Sequence, residues 1–303
     1  MGDTVDWPAW VRDAVSRAVL EAPENRLEDY GGRPIYDAPI VGVADGDDPL
    51  FARFRDVVSE RHLMPRSLLG TRGGPVRVIA WALPFTEEVR RSNRCGERPS
   101  RLYSLARNNG GALNYRLRRE IAQALRARGR LAVAPLLTAG YDAFRSAEHT
   151  FSSSWSERHV AHAAGLGRFG LSNALITPVG ANVRLGSVVT DAPIEVTPRP
   201  YTDHRAPCLA DGGRSCGACI RRCPVGAISG DGLDKAKCNR MRLTVQRECM
   251  AEYTGTLRML AAPVTKGGVT SAGYSLGCAL CQCGVPCENC IPPASCGEQT
   301  THA

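Results

Sequence analysis

Cysteines dominate the last third of this chain and are the residues whose spacing points most directly to chemistry. Thirteen cysteines occur in 303 residues, and twelve of them follow Pro207. A run with the spacing C-x2-C-x3-C-P begins at Cys216, and a second group extends from Cys278 to Cys287. One cubane cluster takes four thiolates, so the chain has enough cysteines for two 4Fe-4S clusters.

Zinc and disulfides are the competing uses of these cysteines. Paired C-x2-C units also have the spacing of zinc ribbons. The run at Cys216 favours a cluster, because it adds a third cysteine and a proline turn that a zinc ribbon does not require. Disulfides would suit a secreted chain, but the sequence after Met1 shows neither an apolar signal core nor a twin-arginine run. We therefore expect a cytoplasmic protein with reduced cysteines.

The composition predicts two parts. Residues 1–200 contain a single cysteine, Cys95, and alternate predicted strands and helices, which is typical of an α/β layer. Residues 201–303 are rich in Cys, Gly and Pro, so we expect metal ligation to supply much of their folding energy. The chain is 43% apolar, enough for a full core. No stretch approaches the about 20 apolar residues of a membrane span, and we expect no membrane partner.

Residue patterns predict several elements around the cysteines. Asp6 is predicted to cap a helix that extends to about Leu20. Apolar residues spaced by four predict a long helix over residues 104–129. Strands are predicted at residues 75–83, 131–137, 173–177 and 183–190. The last two strands are separated by a Pro-Val-Gly turn and are predicted to form a hairpin.

The formal charge of +8 is concentrated by arginines in the long predicted helix: Arg116, Arg118, Arg119, Arg126, Arg128 and Arg130. A basic helix face could meet an acidic partner such as RNA or a flavodoxin. The alternative is a solvated helix face with no partner. No RNA-binding motif with interleaved aromatic residues is visible in the sequence.

The segment from His159 to Thr190 carries a family resemblance. It contains A-G-L-G-R-F-G and then L-I-T ahead of a predicted strand. It resembles the superfamily of epoxyqueuosine reductases and reductive dehalogenases, where such a segment precedes a strand and a double-cluster ferredoxin module. Further matches are Asn114-Tyr115, C-P-V-G-A-I at residues 223–228, Lys237-Cys238 and the closing C-x2-C-Q. The resemblance covers about residues 75–292.

The resemblance implies a fold and a set of cofactors. A nitroreductase-like α/β (α+β) domain at residues 1–200 would hold a cobalamin. A small cysteine-rich, two-cluster ferredoxin-like domain at residues 201–303 would deliver electrons to the cobalt. FMN is the alternative organic cofactor on this scaffold, and an electron-transfer protein without a corrin is a third possibility. A ferredoxin or flavodoxin would be the electron donor.

The resemblance also implies the cluster ligands. The cluster nearer the active site would be held by Cys208, Cys216, Cys219 and Cys287. The other would be held by Cys223, Cys238, Cys278 and Cys281. The usual first C-x2-C is stretched here to C-x7-C, so three further cysteines are possible substitutes: Cys249, Cys283 and Cys290. We expect Cys95 and Cys296 to be free thiols.

Organic-cofactor contacts are expected at Gly165, Gly167, Gly170 and Asn173, because glycines let a backbone approach a bulky ring. A helix end followed by turns would account for the same glycines.

The proton donor is where the chain departs from the family. Epoxyqueuosine reductases place an aspartate a few residues before the acidic position of the following helix, and counting back from Glu157 gives Phe151 here. The remaining candidates are Tyr141, His149, Glu157 and His159. Glu157 could instead form a surface pair with Arg158, and His159 could simply pack. We therefore expect a reductase for deoxygenation or elimination, with a small-molecule or tRNA substrate left open.

Overall fold

The computed structural model describes residues 5–144, 151–199, 203–211, 216–253, 255–259, 265–266, 269–270 and 273–293. His149, a candidate proton donor, and Cys296, an expected free thiol, lie outside these ranges. The described chain is a mixed α/β structure with one four-stranded sheet and several two-stranded sheets.

Helices surround the larger sheet, and three of them have proline in the first turn, where its missing N–H is harmless. The α-helices of the described residues are α1 (Trp7–Leu20), α2 (Pro49–Val57), α3 (Pro65–Leu69), α4 (Glu87–Ser92), α5 (Arg101–Arg126), α6 (Glu157–Ala163), α7 (Ala218–Arg221) and α8 (Lys235–Tyr253). Short 3-10 turns occur at Pro23–Asn25, Glu28–Tyr30, Pro135–Leu137 and Leu280–Gln282. The predicted cap is confirmed, since the Asp6 side chain accepts from the Ala9 N–H.

The strands are mostly short. They are β1 (Arg26–Leu27), β2 (Arg33–Pro34), β3 (Ile40–Asp45), β4 (Arg77–Pro84), β5 (Ala132–Val133), β6 (Ala143–Phe144), β7 (Ser152–Ser153), β8 (Arg168–Phe169), β9 (Leu175–Ile176), β10 (Val183–Thr190), β11 (Ile228–Ser229), β12 (Gly232–Leu233), β13 (Thr265–Lys266) and β14 (Val269–Thr270). The four-stranded sheet has the order β3-β4-β10-β5, and all its neighbours are antiparallel.

Strand β4 divides two hydrophobic cores. Ile79, Trp81 and Leu83 face the core that also contains α1 and α5. Val78 and Ala80 face the core that contains α2 and α6. Since successive strand residues point to opposite faces, a strand covered on both faces must be apolar throughout, and β4 is. The sheet therefore lies between two helical layers.

The predicted hairpin of residues 173–177 with 183–190 is wrong. Strand β9 pairs with β8 instead, and β10 pairs with β4 along its full length. The buried apolar run of β10 suits a central strand, which needs a neighbour on each side, and β5 supplies the second one. The strand predicted at residues 131–137 is also shorter than expected, because a 3-10 turn starts at Pro135.

The six arginines at residues 116–130, in α5 and just after it, form neither an open basic face nor a freely solvated one. Five of the six predicted residues contact other parts of the chain. These contacts are Arg116 with Glu24 and Glu120, Arg118 with Glu157, Arg126 with the Ala132 carbonyl, and Arg128 and Arg130 with the rings of Trp10 and Trp7. Arg119 is exposed. The basic stretch is therefore largely committed to intramolecular contacts.

The cysteine-rich part packs into the same core as the N-terminal helices. Met241, Val245 and Cys249 of α8 belong to the hydrophobic cluster that contains α1 and α5, and Leu276 joins them. Apolar packing therefore adds to whatever stability metal ligation supplies. The division at residue 200 and the nitroreductase-like and ferredoxin-like folds stay predictions. Among the helices described here, none has the length and apolar character needed to cross a bilayer.

Candidate functional site

The predicted cluster cysteines separate into two groups of four. In the first group, burial and then the charges of Cys219, Cys208 and Cys216 raise the pKa of Cys287 to about 12. Burial, Cys208 and Cys216 likewise raise the pKa of Cys219 to about 11. These four sulfurs, which we call the first quartet, therefore share one electrostatic neighbourhood.

The second quartet consists of Cys223, Cys238, Cys278 and Cys281. Burial and the charges of Cys238 and Cys223 raise the pKa of Cys278. The pKa of Cys281 is raised well above its usual value by burial and by the other three members, and Cys219 of the first quartet contributes as well. The two quartets are therefore neighbours, since the charge of Cys219 acts on Cys281.

Such quartets call for a positively charged occupant. Four thiolates that face one another repel, and burial adds to the penalty for the charged form. Bound metal reverses this balance, because it binds the deprotonated sulfur. In the described part of the chain, no three His, Cys, Asp or Glu side chains are placed to hold a single metal ion. A zinc site would need all its sulfurs about 2.3 Å from one ion, whereas each thiolate of a cubane binds a different iron.

Two C-x2-C loops supply one pair of cysteines to each quartet and have similar local conformations. The residue after the first cysteine has positive φ in both, 55° at Gly217 and 52° at Ala279. A helical turn follows each one, α7 in the first loop and Leu280–Gln282 in the second. Backbone N–H groups also point at sulfur, from Ala227 to Cys223 at 3.2 Å and from Leu171 to Cys208 at 3.4 Å. Such hydrogen bonds are typical of cluster thiolates.

The remaining described cysteines lie outside both quartets, and none of the described cysteines forms a disulfide. Cys249 is buried in the core, and Cys95 is exposed. The buried Cys283 sulfur accepts from the side-chain amides of Asn182 at 2.8 Å and Asn93 at 3.5 Å, and burial raises its pKa to about 12. The Cys290 sulfur lies 3.7 Å from the Pro286 carbonyl. Cys249, Cys283 and Cys290, the possible substitute ligands, therefore have other surroundings than the quartets, and their role stays a prediction.

The predicted cofactor glycines pack against the protein itself. Gly165 ends α6 with φ of 75°. A Cβ at Gly167 would lie 2.3 Å from the Ile176 carbonyl oxygen, and one at Gly170 would lie 3.2 Å from the Ile176 side chain. Asn173 also has positive φ, 58°, in a turn whose N–H donates to the Gly170 carbonyl at 2.9 Å. Internal packing therefore accounts for all four residues, and their contact with a cofactor stays a prediction.

The cavity beside this loop is small. Gly165, Gly167 and Arg168 help to line a space of about 90 Å³. Drug-sized ligands occupy roughly 300–1,000 Å³, so this cavity does not fit a corrin. The loop does adjoin the first quartet, because Cys208 and Cys287 pack against the hydrophobic cluster that contains Ile176. The loop supports the quartet in this structure.

Glu157 forms a buried ion pair with Arg118, and the predicted surface pair with Arg158 is wrong. Its Oε1 atom accepts from Arg118 Nε at 3.2 Å and Nη2 at 3.0 Å. Its Oε2 atom accepts from the Ser187 hydroxyl at 2.6 Å. Arg158 points elsewhere and donates to the Asn173 carbonyl. Glu157 therefore ties α6 to α5 and β10.

Tyr141 lies in the same neighbourhood as Glu157. Burial, followed by Tyr115 and Glu157, raises the pKa of Tyr141 to about 12. The phenol therefore holds its proton at neutral pH and is chemically able to donate it. The role of Tyr141 as a proton donor stays a prediction.

His159 is held in an aromatic environment. Its ring lies 5.2 Å from the ring of Phe54 and 4.9 Å from that of Phe169, and its Nδ1 atom is 2.7 Å from the Ser156 hydroxyl. Burial and the charge of Arg158 lower the pKa of His159 to about 3. The neutral ring packs and hydrogen-bonds here, which matches the expectation that His159 could serve a structural role.

Phe151 is partly exposed and contacts the cysteine-rich part of the chain. The Arg242 guanidinium of α8 lies 5.7 Å from the centroid of the Phe151 ring, a cation–π arrangement. An aromatic ring and a cation therefore meet at the position where the family resemblance leads one to expect a carboxylate.

Two arginines of the site were missed by the sequence analysis. Arg184 lies within the central strand β10, and Arg107 lies on the adjacent face of α5. The signal for Arg184 was present, because a charged residue interrupts the predicted strand of apolar residues. Arg107 carried no signal, since one arginine among many on a long helix is unremarkable in a sequence.

The chain is similar to epoxyqueuosine reductases and reductive dehalogenases of known structure. These are the two groups that the sequence resembles. No protein-family model matches the sequence. The comparison with curated proteins finds no match either.

Three solved structures illustrate the similarity. A selenomethionine-labelled epoxyqueuosine reductase has a TM-score of 0.48 and 15% identity over 93% of this chain and 66% of that chain. An epoxyqueuosine reductase with an epoxyqueuosine-modified tRNA-Tyr stem loop has a TM-score of 0.39 and 19% identity over 67% and 52%. A reductive dehalogenase whose structure suggests a mechanism for B12-dependent dehalogenation has a TM-score of 0.43 and 15% identity over 68% and 27%. The chain thus spans at most 66% of the length of these proteins.

Proposed function

We propose that this chain is an iron–sulfur reductase that holds two 4Fe-4S clusters. The observation that carries the proposal is the separation of eight cysteines into two quartets, because burial and the neighbouring sulfurs raise the pKa of Cys219 and Cys287 in the first and of Cys238, Cys278 and Cys281 in the second. The first quartet comprises Cys208, Cys216, Cys219 and Cys287, and the second comprises Cys223, Cys238, Cys278 and Cys281. Thiolates in such groups are the donor set of cubane clusters.

The clusters would supply one-electron transfer between an external donor and an organic cofactor or substrate. The influence of Cys219 on Cys281 supports a direct passage between the quartets. A ferredoxin or flavodoxin is the proposed electron donor. The organic cofactor implied by the family resemblance is cobalamin, with FMN as the alternative. Because the cavity at the glycine loop does not fit a corrin, we assign no contact to it there.

The proposed reaction is a reductive deoxygenation or elimination. Tyr141 is the proposed proton donor, since its phenol is protonated at neutral pH and lies near Glu157 and Tyr115. Glu157 would position α6 through its bonds to Arg118 and Ser187. Phe151 in place of an aspartate supports a substrate different from that of epoxyqueuosine reductases, and both a small molecule and a tRNA remain candidates.

An electron-transfer protein without an organic cofactor is the second candidate function. The cavity of about 90 Å³ beside the glycine loop is in line with it, because that space holds little more than a few water molecules. A larger space of about 340 Å³ lies beside Cys216 and Ile220. In that case the quartets would carry electrons between two partner proteins. A bound organic cofactor in the purified protein would exclude this alternative.

Iron and sulfide analysis of the anaerobically purified chain tests the cluster proposal. We expect about eight irons and eight sulfides per chain, four for each cluster. Replacement of Cys281 by alanine should lower the iron content by about half, and the matched replacement of Cys249 in the core should not. A count near four irons in the unmodified chain, or equal counts in both variants, would contradict the assignment. Mass spectrometry of the extracted cofactor separates cobalamin, FMN and the absence of both.

A further inference from the structure

Arg107 and Arg184 are two neighbouring guanidinium groups that form no ion pair with a carboxylate of the described residues. Within the described residues, Arg107 makes no hydrogen bond or ion pair, and its Nε atom is buried without an acceptor. Arg184 donates from Nη2 to the Ser275 hydroxyl, but its buried Nε atom also has no acceptor among these residues. Two buried donors of the same charge thus converge between α5 and β10.

The groups around Arg184 do not neutralise it. Its pKa is lowered to about 10 by burial and by the charges of Arg107 and Arg118, and Tyr36 and Tyr103 oppose this only in part. The carboxylate of Glu157 is already bound to Arg118. The sequence from residue 254 to residue 272, which leads to Ser275, contains no Asp or Glu. No carboxylate from that segment can therefore complete the site.

Glycines hold the surrounding backbone close to both side chains. A Cβ at Gly111 would lie 3.0 Å from Arg184 Nη2, and one at Gly277 would lie 2.9 Å from Arg107 Nε. The Ser275 N–H donates to the Asn108 side chain at 2.9 Å, which fixes the segment that bears the Ser275 hydroxyl. The donors are therefore held in place before any ligand arrives, which reduces the entropy lost on binding.

An unpaired guanidinium in a protein interior is unfavourable, and an anionic ligand would remove that penalty. Arginine binds phosphate and carboxylate oxygens with paired N–H groups. The unesterified oxygens of a phosphate, three in a monoester and two in a diester, can each accept from a guanidinium group, and the Ser275 hydroxyl can donate to one of them. We propose that Arg107, Arg184 and Ser275 bind the phosphate group of an organic molecule.

The site adjoins the second quartet, since the charge of Arg107 acts on both Cys238 and Cys278. A phosphate held there would place its organic molecule within reach of the proposed electron path. The phosphate belongs either to the organic cofactor, as in FMN or cobalamin, or to the substrate. The redox role of this molecule rests on the proposed function, whereas the phosphate site itself does not.

Matched ligand pairs test phosphate recognition in the full-length, anaerobically reconstituted protein. Calorimetry would compare FMN with riboflavin, and cobalamin with cobinamide, which lacks the nucleotide phosphodiester. Inorganic pyrophosphate is the third probe. We expect one phosphate-bearing probe to bind at least tenfold more tightly than its phosphate-free partner, or pyrophosphate itself to bind. Arg107→Gln and Arg184→Gln should each weaken that binding about tenfold, the loss of roughly one charged hydrogen-bonded contact.

Arg119→Gln is the control, because Arg119 is an exposed arginine on the same helix. It should leave phosphate binding unchanged. Tighter binding of FMN than riboflavin, or of cobalamin than cobinamide, would assign the phosphate to the cofactor. Binding of pyrophosphate without a difference in either pair would assign the phosphate to the substrate. Equal binding within both pairs, together with no binding of pyrophosphate, would overturn the inference. This outcome is measured on the unmodified protein, so it holds even if Arg184→Gln does not fold. Iron analysis of the same samples judges the cluster proposal separately, since phosphate binding does not depend on the iron count.

Discussion

Replacement of Glu157 by glutamine should reveal how much the buried ion pair contributes to stability. The Arg118 side chain is 3% exposed and that of Glu157 is 14% exposed, so solvent screens the pair poorly. Removal of one partner from a buried pair costs about 3–5 kcal/mol, because the other charge is left uncompensated. Arg118 keeps two neutral acceptors, the carbonyls of Asn114 and Leu185, each at 3.0 Å. We therefore expect a loss of about 3 kcal/mol, at the lower end of that range.

Thermal unfolding followed by circular dichroism measures this loss. At about 2–4 °C per kcal/mol, Glu157→Gln should lower the melting temperature by roughly 6–12 °C. Glu120→Gln is the matched control, because Glu120 pairs with Arg116 on the same helix at 2.6 Å but both side chains are about one-third exposed, 38% and 32%. That pair should contribute only about 0.3–0.5 kcal/mol. Melting temperatures of the two variants within about 2 °C of each other would refute the reasoning.

Three further predictions concern acid stability, packing and redox potential. His62 is 3% exposed, its Nε2 atom accepts from the Ser156 N–H, and burial lowers its pKa to about 4. The unfolded chain takes up this proton first, so the stability from neutral His62 is complete above about pH 6.5 and declines as pH falls towards 4. His62→Phe should therefore reduce the fall in melting temperature between pH 7 and 5, and the buried His159, whose pKa is also lowered, should account for part of the remaining fall. Gly167→Ala should lower the free energy of unfolding in urea by about 1–3 kcal/mol, because its Cβ would clash with the Ile176 carbonyl. The Cβ of Gly230→Ala would meet no atom within 4 Å, so this variant should have little effect. Arg107→Gln should shift the midpoint potential of the cluster at Cys238 and Cys278 to more negative values in an EPR redox titration, and Arg119→Gln should not.

Local patterns predicted the parts of the fold that local physics decides. The Asp6 cap depends on one side chain and the first turn of a helix, and the structure has it. The buried strand β4 follows from an uninterrupted apolar run. The short C-x2-C loops likewise present their sulfurs by local chain geometry, with a positive φ at Gly217. In each case the residues that interact are neighbours in the sequence.

Contacts between distant residues could not be predicted in this way. The partner of β10 is β4, about 100 residues earlier in the chain, and nothing in the Pro-Val-Gly turn indicates that choice. Glu157 pairs with Arg118 because α5 and α6 pack on the same strand, while the neighbouring Arg158 is nearer only in sequence. The environment of Arg184 likewise becomes visible only when α5 and the segment at Ser275 are in place. Tertiary packing decides all three.

The packing of α8 into the core beside α1 and α5 would link the stability of the whole chain to that of the proposed clusters. Cys238 belongs to the second quartet, and Val245 and Cys249 of the same helix are buried against the N-terminal helices. Oxidative loss of a cluster would therefore loosen a helix that the main core needs and expose apolar surface to cellular proteases. In a cell exposed to oxygen, the lifetime of this polypeptide would then depend on how long its proposed clusters stay intact.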